Sequence, residues 1–177
     1  VANSSIDLDY NDGAVAQVTT RAVTGTGANP ALLTISDAAT YNYGSITVGA
    51  TADHTFTVDN TGGVAATSIA ESTLAAPYTF LGGSFPGTGG TCTTSLSAGA
   101  SCTLVVRYAP TASGVAGGTI TLGYNNGAAT LSTNRPLTGT GLNPAIITIS
   151  ELEPYSYGTV PSGSLNNHTF TDRKSVV

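Results

Sequence analysis

The chain repeats itself. Residues 23–36 read VTGTGANPALLTIS and return as LTGTGLNPAIITIS at residues 137–150, 114 positions later. The overlay runs without a gap from Ser5/Thr119 to Thr57/Thr171 and holds 26 identities in 53 pairs, too many and too evenly spread for chance. A fixed period of this kind marks an array of similar units. Residues 28–141 then form one complete unit. Residues 1–27 are the C-terminal part of a preceding unit, and 142–171 the N-terminal part of a following one. The chain is therefore expected to be a piece of something longer.

Residues 172–177 leave the pattern. The first copy continues Val58-Asp59-Asn60-Thr61-Gly62-Gly63, whereas the second gives Asp172-Arg173-Lys174-Ser175-Val176-Val177 and carries the only lysine. This reads as an appended or frame-shifted tail, and it stands outside the fold argument.

Within a unit the local pattern is that of strands and turns. Ala31–Ser36, Ile46–Val48, Thr55–Val58, Thr103–Tyr108 and Thr119–Tyr124 are short β-favouring runs separated by Gly, Asn, Asp and Pro. No helical stripe is present. In Thr103–Tyr108 the alternation places Leu104, Val106 and Tyr108 on one face and Arg107 on the other, as in a half-buried strand. Tyr10-Asn11-Asp12-Gly13 and Tyr124-Asn125-Asn126-Gly127 read as hairpin turns, where Asn and Gly accept positive φ at little cost. Seven or eight such strands in a unit of this length predict an all-β, immunoglobulin-like sandwich. Tyr43, Phe56, Phe80 and Tyr108 are the expected aromatic core. The stretch Gly139–Pro144 is expected to be a short, stiff joint to the next unit.

Composition excludes several classes of function. Charged residues are 8% of the chain, against about 25% in an average soluble domain, and 22 glycines with many Thr and Ser fill the polar positions. A net charge of −5 and a pI near 4.6 argue against nucleic acid, whose phosphates need clustered Lys and Arg. No apolar run approaches the ~20 residues that would span a bilayer as a helix.

Cys92 and Cys102 flank a turn centred on Ala98-Gly99. Two antiparallel segments there could bring them within disulfide distance, which would place the chain in an oxidising compartment. Closing so small a loop would contribute roughly 2.5 to 3 kcal/mol by the chain-entropy relation. The alternative is a pair of buried free thiols. A metal site lacks a second Cys or His pair to complete a tetrahedral shell.

These motifs carry a family resemblance. YNYGSITVG at 41–49, FTVDNTGG at 56–63, CTTSLSAGASCTLVVRYAPTASG at 92–114 and LTGTG at 137–141 resemble the bacterial "choice-of-anchor D" repeats, related to the hydin-type, ASH-like branch of immunoglobulin-like domains. The resemblance implies a secreted or surface-displayed tandem-repeat protein with one seven-stranded sandwich per unit, and it implies no chemistry.

Catalytic, metal and cofactor sites are not expected. The two histidines, His54 and His168, occupy the same repeat position before Thr-Phe-Thr, which marks a framework residue better than a general base. Asp7-Leu8-Asp9-Tyr10-Asn11-Asp12-Gly13 has the acidic alternation of a calcium loop, but its glycine falls one position late and the closing Glu is missing. A plain hairpin is expected there. Two functions remain: a non-catalytic spacer or stalk, and an adhesin or carbohydrate-binding module. The second would use Tyr41, Tyr78 and Phe85, or the loop Gly82–Gly90, against a glycan or protein ligand. Exposure of those rings on one open surface would favour binding, and their burial the spacer. Expected partners are neighbouring repeats and, through unpaired edges of the partial units, other copies of the chain in head-to-tail or strand-swapped association.

Overall fold

The computed structural model describes residues 1–149 and 154–175, the last four of these by backbone alone. Thirteen strands run in chain order among the described residues: β1 Ala2–Asn11, β2 Ala16–Gly25, β3 Leu33–Ile35, β4 Tyr41–Thr47, β5 Ala52–Asn60, β6 Ala66–Glu71, β7 Tyr78–Phe80, β8 Ser95–Leu96, β9 Ser101–Tyr108, β10 Gly114–Asn125, β11 Thr130–Leu142, β12 Ile146–Ile149 and β13 Asp172–Ser175.

Strands β3–β11 build two sheets. One has the order β3-β5-β9-β7 and the other β4-β11-β10-β6-β8. Chain order maps onto A-B-E-D for the first and onto an A strand that has changed sheets, then G-F-C, for the second, with the two-residue β8, which follows D in the chain, added at the edge beside C. That is the immunoglobulin arrangement. Between the sheets lie Leu33, Ile35, Tyr43, Phe56, Val58, Tyr78, Leu104, Val106, Tyr108, Ile120, Leu122, Tyr124 and Leu137, all buried. Tyr43, Phe56, Phe80 and Tyr108 are in this core as expected from the sequence, joined by Tyr78 and Tyr124. On β9 the alternation holds. Leu104, Val106 and Tyr108 face inward, while the Arg107 guanidinium turns out to grip Asp53 on β5 through Nε at 2.7 Å and Nη2 at 2.8 Å.

Two buried rings need glycine opposite them. A Cβ on Gly118 would lie 2.6 Å from Cδ2 of Tyr78, and one on Gly139 would lie 2.7 Å from Cε1 of Tyr108. Both glycines are on the β10–β11 ribbon, so their bare backbone makes room for the stacked pair Tyr78 and Tyr108, whose ring centroids are 5.0 Å apart. Gly139 through Leu142 are thus strand, not joint. Strand β11 continues to Leu142, and only residues 143–145 connect it to β12. The expectation of a linker beginning at Gly139 fails because the glycines there serve packing.

The stretches on either side repeat parts of this plan. β1 and β2 pair antiparallel with Tyr10 opposite Gln17, and β10 and β11 pair with Tyr124 opposite Leu131, the same register 114 positions on. The turns match too. Asp12 Oδ1 accepts from the amides of Ala14 and Val15, as Asn126 Oδ1 accepts from those of Ala128 and Ala129. Near the C-terminus β12 pairs with β13, Ile147 opposite Lys174, as β3 pairs with β5, Leu33 opposite Asn60. The tail set aside on sequence grounds therefore supplies a strand in the repeat register. Its side chains differ, but ladder hydrogen bonds are made by the backbone.

Candidate functional site

The strongest convergence of polar groups lies where the chain leaves one sheet for the other. Between β3 and β4, residues 36–40 cross from the four-stranded to the five-stranded sheet, with Asp37 at a φ of 76°. A side chain from each sheet clamps the crossing. Arg135 on β11 donates through Nη2 to the carbonyl of Ile35 and through Nη1 to that of Ala38. His54 on β5 meets Asp37 Oδ2 through Nε2 at 3.2 Å. Tyr41, the first residue of β4, stacks on the His54 ring at 3.8 Å, and Phe56 meets both rings edge-on.

Chemically this cluster is not a nucleophile with its base. Ser36 Oγ donates to Asp37 Oδ2 at 2.8 Å, so the carboxylate sits between hydroxyl and imidazole, whereas general-base catalysis puts the imidazole in the middle. Burial works against ionisation of Asp37, but the hydrogen bonds from Ser36 and His54 outweigh it and hold the carboxyl below its usual range. The arrangement fixes a strand crossing. Of its residues, Arg135, Tyr41 and His54 have identical counterparts 114 positions away in Arg21, Tyr155 and His168. Near the C-terminus Tyr155 stacks on His168 at 4.0 Å, and Phe170 stands edge-on to both, as in the complete copy.

A second convergence, absent from the sequence reading, centres on Asn60 at the end of β5. Its Nδ2 donates toward the carbonyls of Val64, Leu96 and Ser97, and its Oδ1 accepts from the amides of Leu32 and Gly62. The backbone is engaged as well, with Asn60 N bonded to Ala100 O and Gly99 N to Asn60 O. Followed by Thr-Gly-Gly, Asn60 reads as an ordinary turn residue. Only the fold shows that one carboxamide ties β5, β8, the approach to β3 and two turns.

Cys92 and Cys102 are bonded, with Cα atoms 4.8 Å apart. The loop between them is not the simple hairpin that the turn at Ala98-Gly99 suggests. Cys102 lies in β9 and the Cys92 amide bonds to Thr103 O, both on the four-stranded sheet, but Ser95–Leu96 cross over to pair with β6 on the other. The disulfide closes a loop that reaches both sheets. Its presence fits an oxidising, extracellular environment. Among the described residues no helix is long and apolar enough to cross a membrane.

The rings proposed for ligand contact are placed differently from one another. Tyr78 is 0% exposed, its hydroxyl donating to Ala116 O at 2.8 Å, so it cannot reach a ligand. Tyr41 is half-buried on His54, and half-buried Phe85 packs edge-on against Phe80 at 5.6 Å. Much of the loop Gly82–Gly90 is also committed. β7 pairs with only three residues of β9, and the chain after it continues the ladder, Leu81 N to Val105 O and Val105 N to Pro86 O. A shallow cleft of about 200 Å³ lies by Pro77, Tyr108, Pro110, Ser113 and Val115. It is smaller than the usual ~300–1,000 Å³ of a ligand pocket.

Of the acidic stretch before Gly13, Asp12 is used by its own turn. Asp12 accepts from Val15, Ala14 and the Gln17 side chain, and these bonds lower its pKa. Among the described residues no three His, Cys, Asp or Glu side chains group to hold a metal ion.

No protein-family model matches the chain, and no curated protein does. Solved structures do. The VesB protease of Vibrio cholerae is 18% identical with a TM-score of 0.50, the match covering 61% of this chain and 31% of that one. A protein of unknown function from Porphyromonas gingivalis W83 is 12% identical with a TM-score of 0.47, covering 78% and 66%. The ASH/PapD-like domain 7 of human CEP192 is 13% identical with a TM-score of 0.42, covering 69% and 92%. The chain spans about a third of the VesB protease chain. At such identities the likeness concerns the fold alone.

Proposed function

We propose that this chain belongs to a secreted or cell-surface bacterial protein of the choice-of-anchor D type, in which each immunoglobulin-like unit is a non-catalytic spacer in a stalk. Neighbouring units of the same protein are its partners. The observation that carries the reading is where the polar side chains go: Arg135, His54, Asp37 and Asn60 all hold the unit's own backbone or one another. The disulfide supports an extracellular setting, and the three-residue connection at 143–145, with Pro144 in its middle, suits a stiff joint. The family assignment rests on the sequence motifs.

A glycan array probed with the 177-residue chain tests this. The spacer reading expects no bound glycan. A glycan retained by the chain and lost on Tyr41→Ala or Phe85→Ala would replace it with the adhesin reading.

A further inference from the structure

The polar groups of the complete unit converge on the stretch by which the chain enters it. Leu32 N donates to Asn60 Oδ1 at 3.2 Å and Leu33 N to Tyr124 Oη at 3.3 Å, while Ala31 N reaches Asn126 O at 3.0 Å. Ser36 is bound to β5 twice, its N donating to Thr57 O at 2.8 Å and its Oγ accepting from Thr57 N at 3.0 Å. Arg135 then holds the carbonyls of Ile35 and Ala38, and His54 holds Asp37. The disulfide joins Cys92 to β9 and does not tie this stretch, so residues 31–38 are fastened by non-covalent bonds alone.

Entry and exit lie at opposite ends of the sandwich. The chain comes in at Ala31, bonded to Asn126 in the β10–β11 turn, and goes out at Leu142, whose carbonyl accepts from Val48 N at 2.8 Å just after β4. Strand β11 runs between these points, from Thr130 to Leu142. β4 lies parallel to it, from Tyr41 opposite Leu137 to Thr47 opposite Leu142. A pull on the residues flanking the unit therefore draws the N-terminal end of β4 one way and the C-terminal end of β11 the other. The pair is sheared along its length. Its hydrogen bonds lie across the direction of pull, share the force and must fail together, whereas a pair opened from one end gives up its bonds one at a time. β3 meets the same shear against β5, with Leu33 opposite Asn60 and Ile35 opposite Val58.

We infer that the complete unit bears tension along the chain, and that the β4–β11 pair together with the fastened stretch 31–38 is the clamp that resists it. Such a load follows from the spacer reading, but the direction dependence belongs to the sandwich itself and holds whether or not a glycan binds. Forced unfolding is governed by the unfolding barrier and not by equilibrium stability. One and the same fold should thus resist a pull along β4–β11 and yield to a pull that opens the pair from an end. Arg135 is where the resistance begins. It ties β11 to carbonyls on both sides of the Asp37 crossing, so a pull arriving through Pro30 is passed to β11 before β4 can slide.

Single-molecule force spectroscopy on the whole chain tests this with two pairs of handles. Because the native cysteines are bonded, new thiols serve as attachment points. Gly27→Cys with Asn143→Cys loads the unit along β4–β11, and Ala50→Cys with Asn143→Cys pulls the C-terminal ends of the same two strands apart. A Cβ at Gly27 meets nothing within 4 Å, and Ala50 and Asn143 are exposed, so neither pair of handles disturbs the core. The 27/143 pair is expected to rupture at a force several-fold above that of the 50/143 pair at the same pulling speed. Arg135→Ala is expected to lower the first force and leave the second nearly unchanged, whereas a general loss of stability lowers both alike. An unchanged far-ultraviolet spectrum confirms that each variant keeps the sandwich. Equal forces for the two pairs of handles, a lower force for 27/143, or an Arg135→Ala variant that loses equally or not at all in both directions would each overturn the inference, and none of these results bears on glycan binding.

Discussion

Asn60 on β5 donates its side-chain amide to the carbonyl of Leu96 on β8 at 3.0 Å, joining the two sheets through a residue only 1% exposed. A polar bond in that position is stabilising only while every valence is filled, because an unpaired buried group costs about 1 to 3 kcal/mol. Asn60→Ala should therefore lower unfolding stability by roughly 2 to 4 kcal/mol. Asn60→Asp should be no better, since it keeps the acceptor for Leu32 and Gly62 but loses the donors and buries a charge. Urea unfolding followed by tyrosine fluorescence measures both; a loss under 0.5 kcal/mol would deny Asn60 its bridging role.

The disulfide should resist detection as thiol. Ellman titration of the denatured, unreduced chain is expected to find essentially no free thiol. Replacing Cys92 and Cys102 together with alanine should cost roughly 2.5 to 3 kcal/mol by loop entropy. The loss should extend to Ser95–Leu96, so hydrogen exchange at the β6–β8 pairing should rise more than at β5–β9.

The Tyr108 hydroxyl is buried and has no hydrogen-bond partner among the described residues, whereas the Tyr78 hydroxyl has one in Ala116. Tyr108→Phe should thus be neutral or stabilising, and Tyr78→Phe should cost about 1 kcal/mol. Desolvation pushes the Tyr78 phenol up to about 12, so it should stay protonated where exposed tyrosines ionise. Thermal melts of the two variants side by side check the contrast. Equal losses would contradict it.

Acid should weaken the unit through its carboxylates. The Arg107 guanidinium lowers the pKa of Asp53, and backbone amides lower that of Asp12. A folded value below the unfolded one means that the unfolded chain binds more protons between the two. The stability these groups contribute is fully present above the ordinary carboxylate value of 3.8 and is lost as pH falls through the folded values. Melting temperature should drop below about pH 4, and the double variant Asp53→Asn, Arg107→Leu should show a shallower drop. Both partners of the Asp53–Arg107 pair are more than a third exposed, so the effect should also shrink in high salt.

What the sequence made legible depended on how much local pattern each element carried. Strand β9 and the β10–β11 turn were readable because Leu104-Val105-Val106-Arg107-Tyr108 alternates and Asn125-Asn126-Gly127 has turn chemistry. β6 was not. Four of its six residues are Ala, Ser or Thr, Ser68 has a φ of 52°, and its register against β10 shifts between Gly123 and Asn125. β7 and β8 have three and two residues, too short for any period. The burial of Tyr78 is not legible around it, because the bare Gly118 that receives its ring lies 40 positions away. Likewise Asn60 and the Arg135 clamp act on backbone carbonyls, which leave no trace in side-chain pattern.

That the chain contains one self-sufficient sandwich is the claim on which the rest depends. Thermal unfolding of residues 28–142 alone, read by calorimetry and tyrosine fluorescence together, tests it most directly. The account predicts a single cooperative transition, coincident by both probes and close to the main transition of the whole chain. A 28–142 polypeptide that is unfolded at 25 °C, with its disulfide intact and while the whole chain remains folded, would contradict it.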